Sequence, residues 1–194
     1  MTARDLILQT ALELFNQQGT AKVTTNHIAQ AAEISPGNLY YHFHDKQHII
    51  RELYERMAAD WEAVYGEVEV GAVSGASVEQ FTQGNFKMLW RYRFFNREMV
   101  ALMNADPVLA ERHVRLYEER FQRQKRLVQS AVEAGLLAFP QGTSQEEVLT
   151  IIWIIANHYL NYLETFGRQV TEADFGVGAG LVMKVLAPYF GREQ

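Results

Sequence analysis

Residues 33–46 read EISPGNLYYHFHDK, and the fold of the whole chain turns on them. Ser35-Pro36 has the form of an N-cap followed by a first-turn proline, because proline's missing N–H is one that a helix start leaves unused anyway. Asp45 has the form of the next cap, so the helix between the two can be only one or two turns long. Leu39 and Phe43, four residues apart, share one face and are expected to point inward. Tyr40, Tyr41 and His42 then crowd polar-tipped rings onto the remaining faces. Core packing on nearly all sides of so short a helix is a poor explanation for that many rings.

Upstream, Thr24-Thr25 offers a capping hydroxyl for a helix presenting Ile28, Ala29 and Ala32, which breaks at Glu33-Ile34. Two helices joined by so few residues make a helix-turn-helix, in which the second helix lies in the DNA major groove. The small residues Gly37 and Asn38 at its start would let the backbone come close. Its free N–H groups would favour phosphate oxygens. A helix with Leu6, Ile7, Leu8, Ala11, Leu12, Leu14 and Phe15 at helical spacing precedes the pair and stops at Gly19. A long one follows Asp45 through Ile49, Leu53, Met57, Trp61 and Val64.

The rest of the chain also reads as helix, giving an all-α fold of about nine helices. Ser77-x-x-Gln80 and Ser144-x-x-Glu147 are capping-box patterns, Asp106-Pro107 and Thr171-x-x-Asp174 are further starts, and Gly135 is a stop. Loops are expected at Glu69–Ala76 and Ala138–Thr143. The chain has 194 residues, 48% of them apolar, and carries a net charge of −5. That charge argues against binding nucleic acid through bulk positive charge and leaves a local DNA-facing surface open. In residues 1–51 the basic set Arg4, Lys22, Lys46 and Arg51 balances Asp5, Glu13, Glu33 and Asp45. There is no cysteine, which removes disulfides and thiolate metal sites. With no membrane-length apolar run and no signal-peptide core, the expected location is the cytoplasm. Nothing calls for a cofactor. His44 and His48 are four apart, but His44 precedes the cap at Asp45 and no third ligand lies near, so no metal site is expected. The Gly-x-Gly-x-Gly run at Gly176, Gly178 and Gly180 follows no strand and has the wrong spacing for a dinucleotide fingerprint.

Residues 24–46, TTNHIAQAAEISPGNLYYHFHDK, resemble the DNA-binding signature of the TetR family of bacterial transcriptional regulators. The matching elements are Thr24-Thr25, Ile28-Ala29, Ala32, Ser35-Pro36-Gly37, Leu39 to Phe43, and Lys46. The resemblance implies a DNA-binding domain over 1–46 and an effector-binding and dimerisation domain over 47–194. It implies phosphate contacts by Thr25, Tyr41, His42 and Lys46, and contacts to bases or their flanking backbone by Gly37, Asn38 and Tyr40. Asn26 occupies a position where some relatives place a base-reading side chain. Many relatives begin with a basic arm, whereas here only Arg4 stands before the first helix.

The body is rich in aromatics and methionines between Phe81 and Met103, and bundle interiors make ligand pockets when a few polar groups point inward. Asn85 lies a turn from Phe81 and Leu89. His113 lies a turn from Leu109, Leu116 and Tyr117, and Asn157 a turn from Trp153. With Trp61, Phe86, Met103 and Phe121 these residues outline a pocket for a lipophilic or aromatic effector. Ile151 to Leu163 is apolar around much of its circumference, more than one buried face requires. The last two helices are therefore expected to pair with a second copy, through Ile152, Ile155, Tyr159 and Tyr162 on the first. Gly178, Leu181, Val182 and Val185 would serve on the second.

These readings converge on a homodimeric repressor released from a near-palindromic operator by a small molecule, with activation as an alternative sign of control. An enzyme is disfavoured: no nucleophile, zinc or phosphate-loop motif occurs, there are no catalytic residues to name, and Glu118-Glu119 and Glu146-Glu147 diverge on a helix. The other alternative is a helical protein-interaction module or ligand-binding protein without sequence-specific DNA binding.

Overall fold

The computed structural model describes residues 2–69 and 74–191. Among these are nine α-helices: α1 (Ala3–Gln18), α2 (Thr25–Ala31), α3 (Pro36–His42), α4 (Lys46–Glu69), α5 (Gly75–Arg91), α6 (Arg93–Ala105), α7 (Pro107–Glu133), α8 (Gln145–Glu164) and α9 (Glu172–Leu186). A single 3₁₀ turn, Ala187–Tyr189, follows α9. No strand occurs among the described residues, only one bridge between Leu137 and Phe190. The chain packs as two units, residues 1–59 with 92–112, and residues 60–91 with 113–194. A functional division after residue 46 therefore runs through the first of them.

Most helix starts are made as the sequence directs. Thr24 accepts from the His27 N–H while His27 Nδ1 accepts from the Thr24 N–H, a capping box with histidine in the usual Glu or Gln place. Ser35 Oγ accepts from the Asn38 N–H, Asp45 Oδ1 from the His48 N–H, and Ser144 Oγ from the Glu147 N–H. Asp106 Oδ1 takes the N–H groups of Val108 and Leu109. Thr171 and Asp174 complete a full capping box. Two starts differ from expectation. Ser77 is not the cap of α5: the helix begins at Gly75, and the Ser74 and Ser77 hydroxyls exchange bonds with each other's N–H groups. Of the loop expected at Glu69–Ala76, residues 70–73 lie outside the described residues. Arg4 stands within α1, whose cap is Thr2, and so forms no free arm. Its guanidinium pairs with Glu52 at 2.8 Å and lies 5.1 Å over the Phe43 ring.

In the first unit, Ile7, Leu8, Ala11 and Phe15 of α1, Ile28 of α2, Leu39 and Phe43 around α3, and Ile49 and Leu53 of α4 are all buried. α6 belongs to this unit as well. Phe94 packs on Phe15 at 5.3 Å and Phe95 on Tyr54 at 5.3 Å. Polar bonds reinforce the joint. Asn16 Oδ1 accepts from the Phe94 N–H, the Asn16 carbonyl accepts from Arg97 Nη1 at 2.7 Å, and the Glu98 carboxylate takes the Thr20 N–H at 3.0 Å and the Thr20 hydroxyl. Asn16 and Thr20 are themselves buried, so these bonds satisfy groups that would otherwise be costly to desolvate.

In the second unit α9 packs against α5 and α8. Phe175 of α9 is the hub, with Phe86 at 5.1 Å, Trp90 at 5.9 Å and Tyr159 at 6.3 Å. Gly178 is part of this joint. A Cβ there would fall 2.4 Å from Phe86 and 2.6 Å from Tyr159, so the absent side chain makes room for the chain's own rings. The Leu137–Phe190 bridge, with the Ala138 N–H on the Tyr189 carbonyl at 2.7 Å, ties the chain after α9 to the loop after α7.

Candidate functional site

The turn between α2 and α3 closes by a backbone bond from the Ile34 N–H to the Ala29 carbonyl, with Glu33 in the left-handed region at φ 54°. That conformation normally favours glycine. It sets α3 as a helix of 7 residues whose one apolar face is fully used: Leu39 and the following Phe43 are 0% exposed. Everything else on α3 looks outward. Tyr41 is 83% exposed and packs edge-on against His42 at 5.1 Å. Tyr40 is half-exposed, and its hydroxyl bonds the Thr25 hydroxyl at 3.0 Å, which holds α3 to the first turn of α2. Asn26, Gly37 and Asn38 are exposed. Gly37 has an ordinary helical φ, and a Cβ built on it meets nothing nearer than Ser35 Oγ at 3.9 Å. No internal contact requires glycine there, although glycine inside a helix costs about 1 kcal/mol relative to alanine.

Lys46 stands apart from the other residues expected to meet DNA. Its ammonium donates to the Thr20 carbonyl at 2.7 Å and the Val23 carbonyl at 3.0 Å, clamping the α1–α2 loop onto the start of α4. Two of its three donors are therefore engaged within the chain. His44 and His48 stack at 5.5 Å, and no group of three or more His, Asp or Glu side chains placed to hold a metal occurs among the described residues.

In the second unit the residues expected around a pocket divide. Asn85, Phe86, Trp153 and Asn157 line a small cavity of about 30 Å³. Tyr117 and Phe121 present their rings edge-on to Trp153 at 4.4 and 5.1 Å, and His113 lies against Tyr117 at 4.8 Å. Trp61 and Leu89 are buried. Met103 does not join them: it is a half-buried residue of α6, which belongs to the first unit. Burial, followed by the nearby Arg120 charge, holds His113 below its usual pKa; burial raises Tyr117, with Arg120 opposing.

Arg120 itself was not among the expected residues. It is 5% exposed, its guanidinium carbon lies 3.3 Å from the Trp61 ring centroid, and Nη2 reaches Asn85 Oδ1 at 3.4 Å. Gln124, which accepts from the Trp153 indole N–H, was missed too. A signal existed, because Leu109, His113, Leu116, Arg120, Gln124, Leu127 and Ala131 step by three and four along one face of α7. Within the run RLYEERFQRQKRL, charge hides that stripe.

The apolar excess of α8 is real, but its bare face differs from the one expected. Ile151, Ile154, Tyr162 and Phe166 are 48–61% exposed, with Val177 of α9 at 57%. Tyr162 is the one expected contact that is fully on this face, while Ile155, Tyr159, Leu181 and Val185 are half-buried. Gly178 and Val182 are buried in the chain's own interior, and Ile152 lines its cavities. Those three are corrections. On α9, Gly178 faces Phe86 of α5 and Tyr159 of α8.

A short helix locked by two apolar residues behind a tight turn, showing tyrosines, a histidine and small residues outward, defines a helix-turn-helix DNA-binding protein. The comparisons agree. Residues 7–53 match the family described as bacterial regulatory proteins, tetR family, and residues 44–194 match the family described as bacterial transcriptional repressor, TetR. The chain belongs to the TetR family and is a transcriptional regulator, not an enzyme. It is similar to the crystal structure of a TetR-family transcriptional regulator from Marinobacter aquaeolei VT8, with a TM-score of 0.89 at 28% identity over 99% of this chain and 93% of that one. It is 39% identical over 67 residues to the HTH-type transcriptional regulator AcrR of Shigella flexneri, 34% of this chain and 29% of that protein. It is 34% identical over 70 residues to the HTH-type transcriptional regulator QacR of Staphylococcus aureus (strain Mu50 / ATCC 700699), 36% of this chain and 37% of that protein. Its matches thus span only 29% and 37% of the two curated relatives. No described helix is long and apolar enough to cross a membrane.

Proposed function

We propose that the chain is a homodimeric repressor that grips a near-palindromic operator with two copies of α3 and lets go when a small lipophilic or aromatic molecule enters its second unit. The outward face of α3 carries this reading. Gly37 has open space around it and no internal use, so close approach by another molecule's backbone or bases accounts for it. Tyr41 and His42 would meet phosphates, Asn38 and Tyr40 base edges or their flanks, and Thr25 and Asn26 the same duplex from α2. Residues 1–46 would carry this task and 47–194 effector binding and pairing. The bare α8 face at Ile151, Ile154, Tyr162 and Phe166 is the surface a second copy would cover. Two copies of α3 would then enter successive major grooves, about 34–36 Å apart. An effector lifts repression to the extent that it binds a state of different spacing more tightly.

The test is fluorescence anisotropy with duplexes from the DNA flanking the gene. Wild-type affinity should fall steeply with salt, as counterions return to the phosphates. Tyr41→Ala should bind at least about tenfold more weakly, the loss of a phosphate hydrogen bond with its aromatic packing. Unchanged binding by Tyr41→Ala, with Gly37→Val equally harmless, would remove the reading.

A further inference from the structure

We propose that the effector is a small neutral ketone or ester, its apolar tail held between α5, α7, α8 and α9 and its carbonyl oxygen accepting from the side-chain NH₂ groups of Gln124 and Asn85. The inference deepens the effector reading above and rests on it. It stands on which hydrogen-bonding groups two adjoining cavities of the second unit leave to a ligand. The larger, about 100 Å³, is walled by aliphatic side chains such as Leu127, Leu137 and Leu149, with Thr82 and Gln124 its only polar side chains. The smaller, about 30 Å³, shares Thr82 and Gln124 with it and adds Asn85 and Asn157. One end is hydrocarbon, and the polar end is reached past Gln124. Neither lining contains a carboxylate.

The partner of each amide inside the chain fixes which way it points. An indole N–H and a guanidinium can only donate. Gln124 therefore turns Oε1 to the Trp153 indole N–H, and Asn85 turns Oδ1 to Arg120 Nη2 at 3.4 Å. Both carbonyl ends are thus occupied, and neither NH₂ group has a hydrogen-bond partner among the described residues. Thr82 adds no donor, because its hydroxyl gives its hydrogen to the Val78 carbonyl at 2.8 Å. Asn157 donates to the Trp153 carbonyl at 2.9 Å and lines only the smaller cavity. Arg120 is engaged within the chain, over the Trp61 ring and at Asn85, and acts by holding that amide's orientation. A ligand whose tail fills the hydrocarbon end therefore brings its head to two neutral donors, and a carbonyl oxygen has a lone pair for each. A carboxylate would exchange its hydration for neutral amides, which do not offset the cost of burying a charge. An ammonium would present donors to donors, with no acid in the lining. Size sets the tail. An apolar cavity of about 150 Å³ holds benzene, so the larger cavity suits roughly four to six carbons.

Isothermal titration of the full chain with hexan-2-one, hexan-1-ol, hexanoate and hexylamine tests the class directly. Hexan-2-one should bind at least about tenfold more tightly than hexanoate, which lacks a charged partner here, and hexylamine should not bind. Gln124→Glu keeps an oxygen for the Trp153 N–H and replaces the NH₂ group with a second oxygen. It should weaken hexan-2-one at least about tenfold, because a donor is lost and two acceptors are set face to face. Hexan-1-ol, whose hydroxyl can donate to the new oxygen, should lose much less, which also shows that the variant is folded. Ile152→Trp should fill the tail cavity and abolish binding of the ketone. Hexanoate or hexylamine binding the wild type as tightly as hexan-2-one overturns the proposal. So does ketone affinity untouched by Gln124→Glu or by Ile152→Trp, or an equal loss of ketone and alcohol in Gln124→Glu. A parallel anisotropy series separates it from the reading beneath. If hexan-2-one binds through Gln124 and leaves the DNA complex intact, the effector role falls and the carbonyl site stands. If hexan-2-one fails to bind and a charged compound releases DNA, the carbonyl class falls and the effector role stands.

Discussion

The two units use polar side chains in opposite ways. On α3 the functional candidates are at the surface, Tyr41 being 83% exposed, while only Leu39 and Phe43 hold the helix in place. In the second unit the candidates are enclosed: Asn85, His113 and Arg120 are 5–9% exposed, with Arg120 over the Trp61 ring and His113 against Tyr117. A surface reader can lose a contact residue and keep its fold. An interior site cannot, because each polar group there is also part of the packing. Binding and stability should therefore separate cleanly in the first unit and only partly in the second.

The sharpest test sets neighbours against each other. Phe43→Ala should cost about 3–5 kcal/mol in urea denaturation, as for a large buried aromatic, whereas Tyr41→Ala should stay within about 0.5 kcal/mol and show its effect only on DNA. Lys46→Met would blur the contrast. It strips a donor from two carbonyls of the α1–α2 loop, and should lower stability by about 1–3 kcal/mol besides any effect on DNA. Gly178→Ala should cost about 1–3 kcal/mol, because the new methyl strikes Phe86 and Tyr159. Gly180→Ala meets nothing within 4 Å of its own chain and should show no such loss in thermal unfolding.

Acid should also tell the units apart. His113 is held below 6.5 in the folded state, so the unfolded chain takes up its proton first. Its contribution is intact above pH 6.5 and is lost as pH falls toward the depressed folded value. His113→Gln should flatten that part of the stability curve. Asp5, exposed and lowered to about 2 by bonds to Thr2 and then Arg56, keeps its contribution until pH falls below 3.8 toward 2. The smallest effect is expected at the turn. Glu33→Gly should raise stability by up to about 1 kcal/mol by relieving the left-handed backbone.

How much of this the sequence disclosed follows the same division. The α2–turn–α3 geometry is local. Thr24, Ser35-Pro36 and Asp45 each act within a few residues, so their order along the chain was enough. The all-α class and most helix starts were legible for that reason. Arg120 and Gln124 were not, because their roles arise where α7 meets α4, α5 and α8, and in sequence they resemble surface charge. The inward turn of Gly178 was hidden for the same reason: glycines spaced for a partner helix look identical when the partner is the chain's own Phe86 and Tyr159. The place of α6 beside α1 was equally invisible, resting as it does on bonds 78 residues apart.

That last joint has a genetic consequence. Asn16, Thr20 and Glu98 are bonded to each other's helices and loops, and the first two are buried away from any duplex. On the proposed repressor reading, a selection for constitutive expression should nonetheless return substitutions at these positions alongside those in α3, and such mutants would keep every side chain proposed to touch the operator.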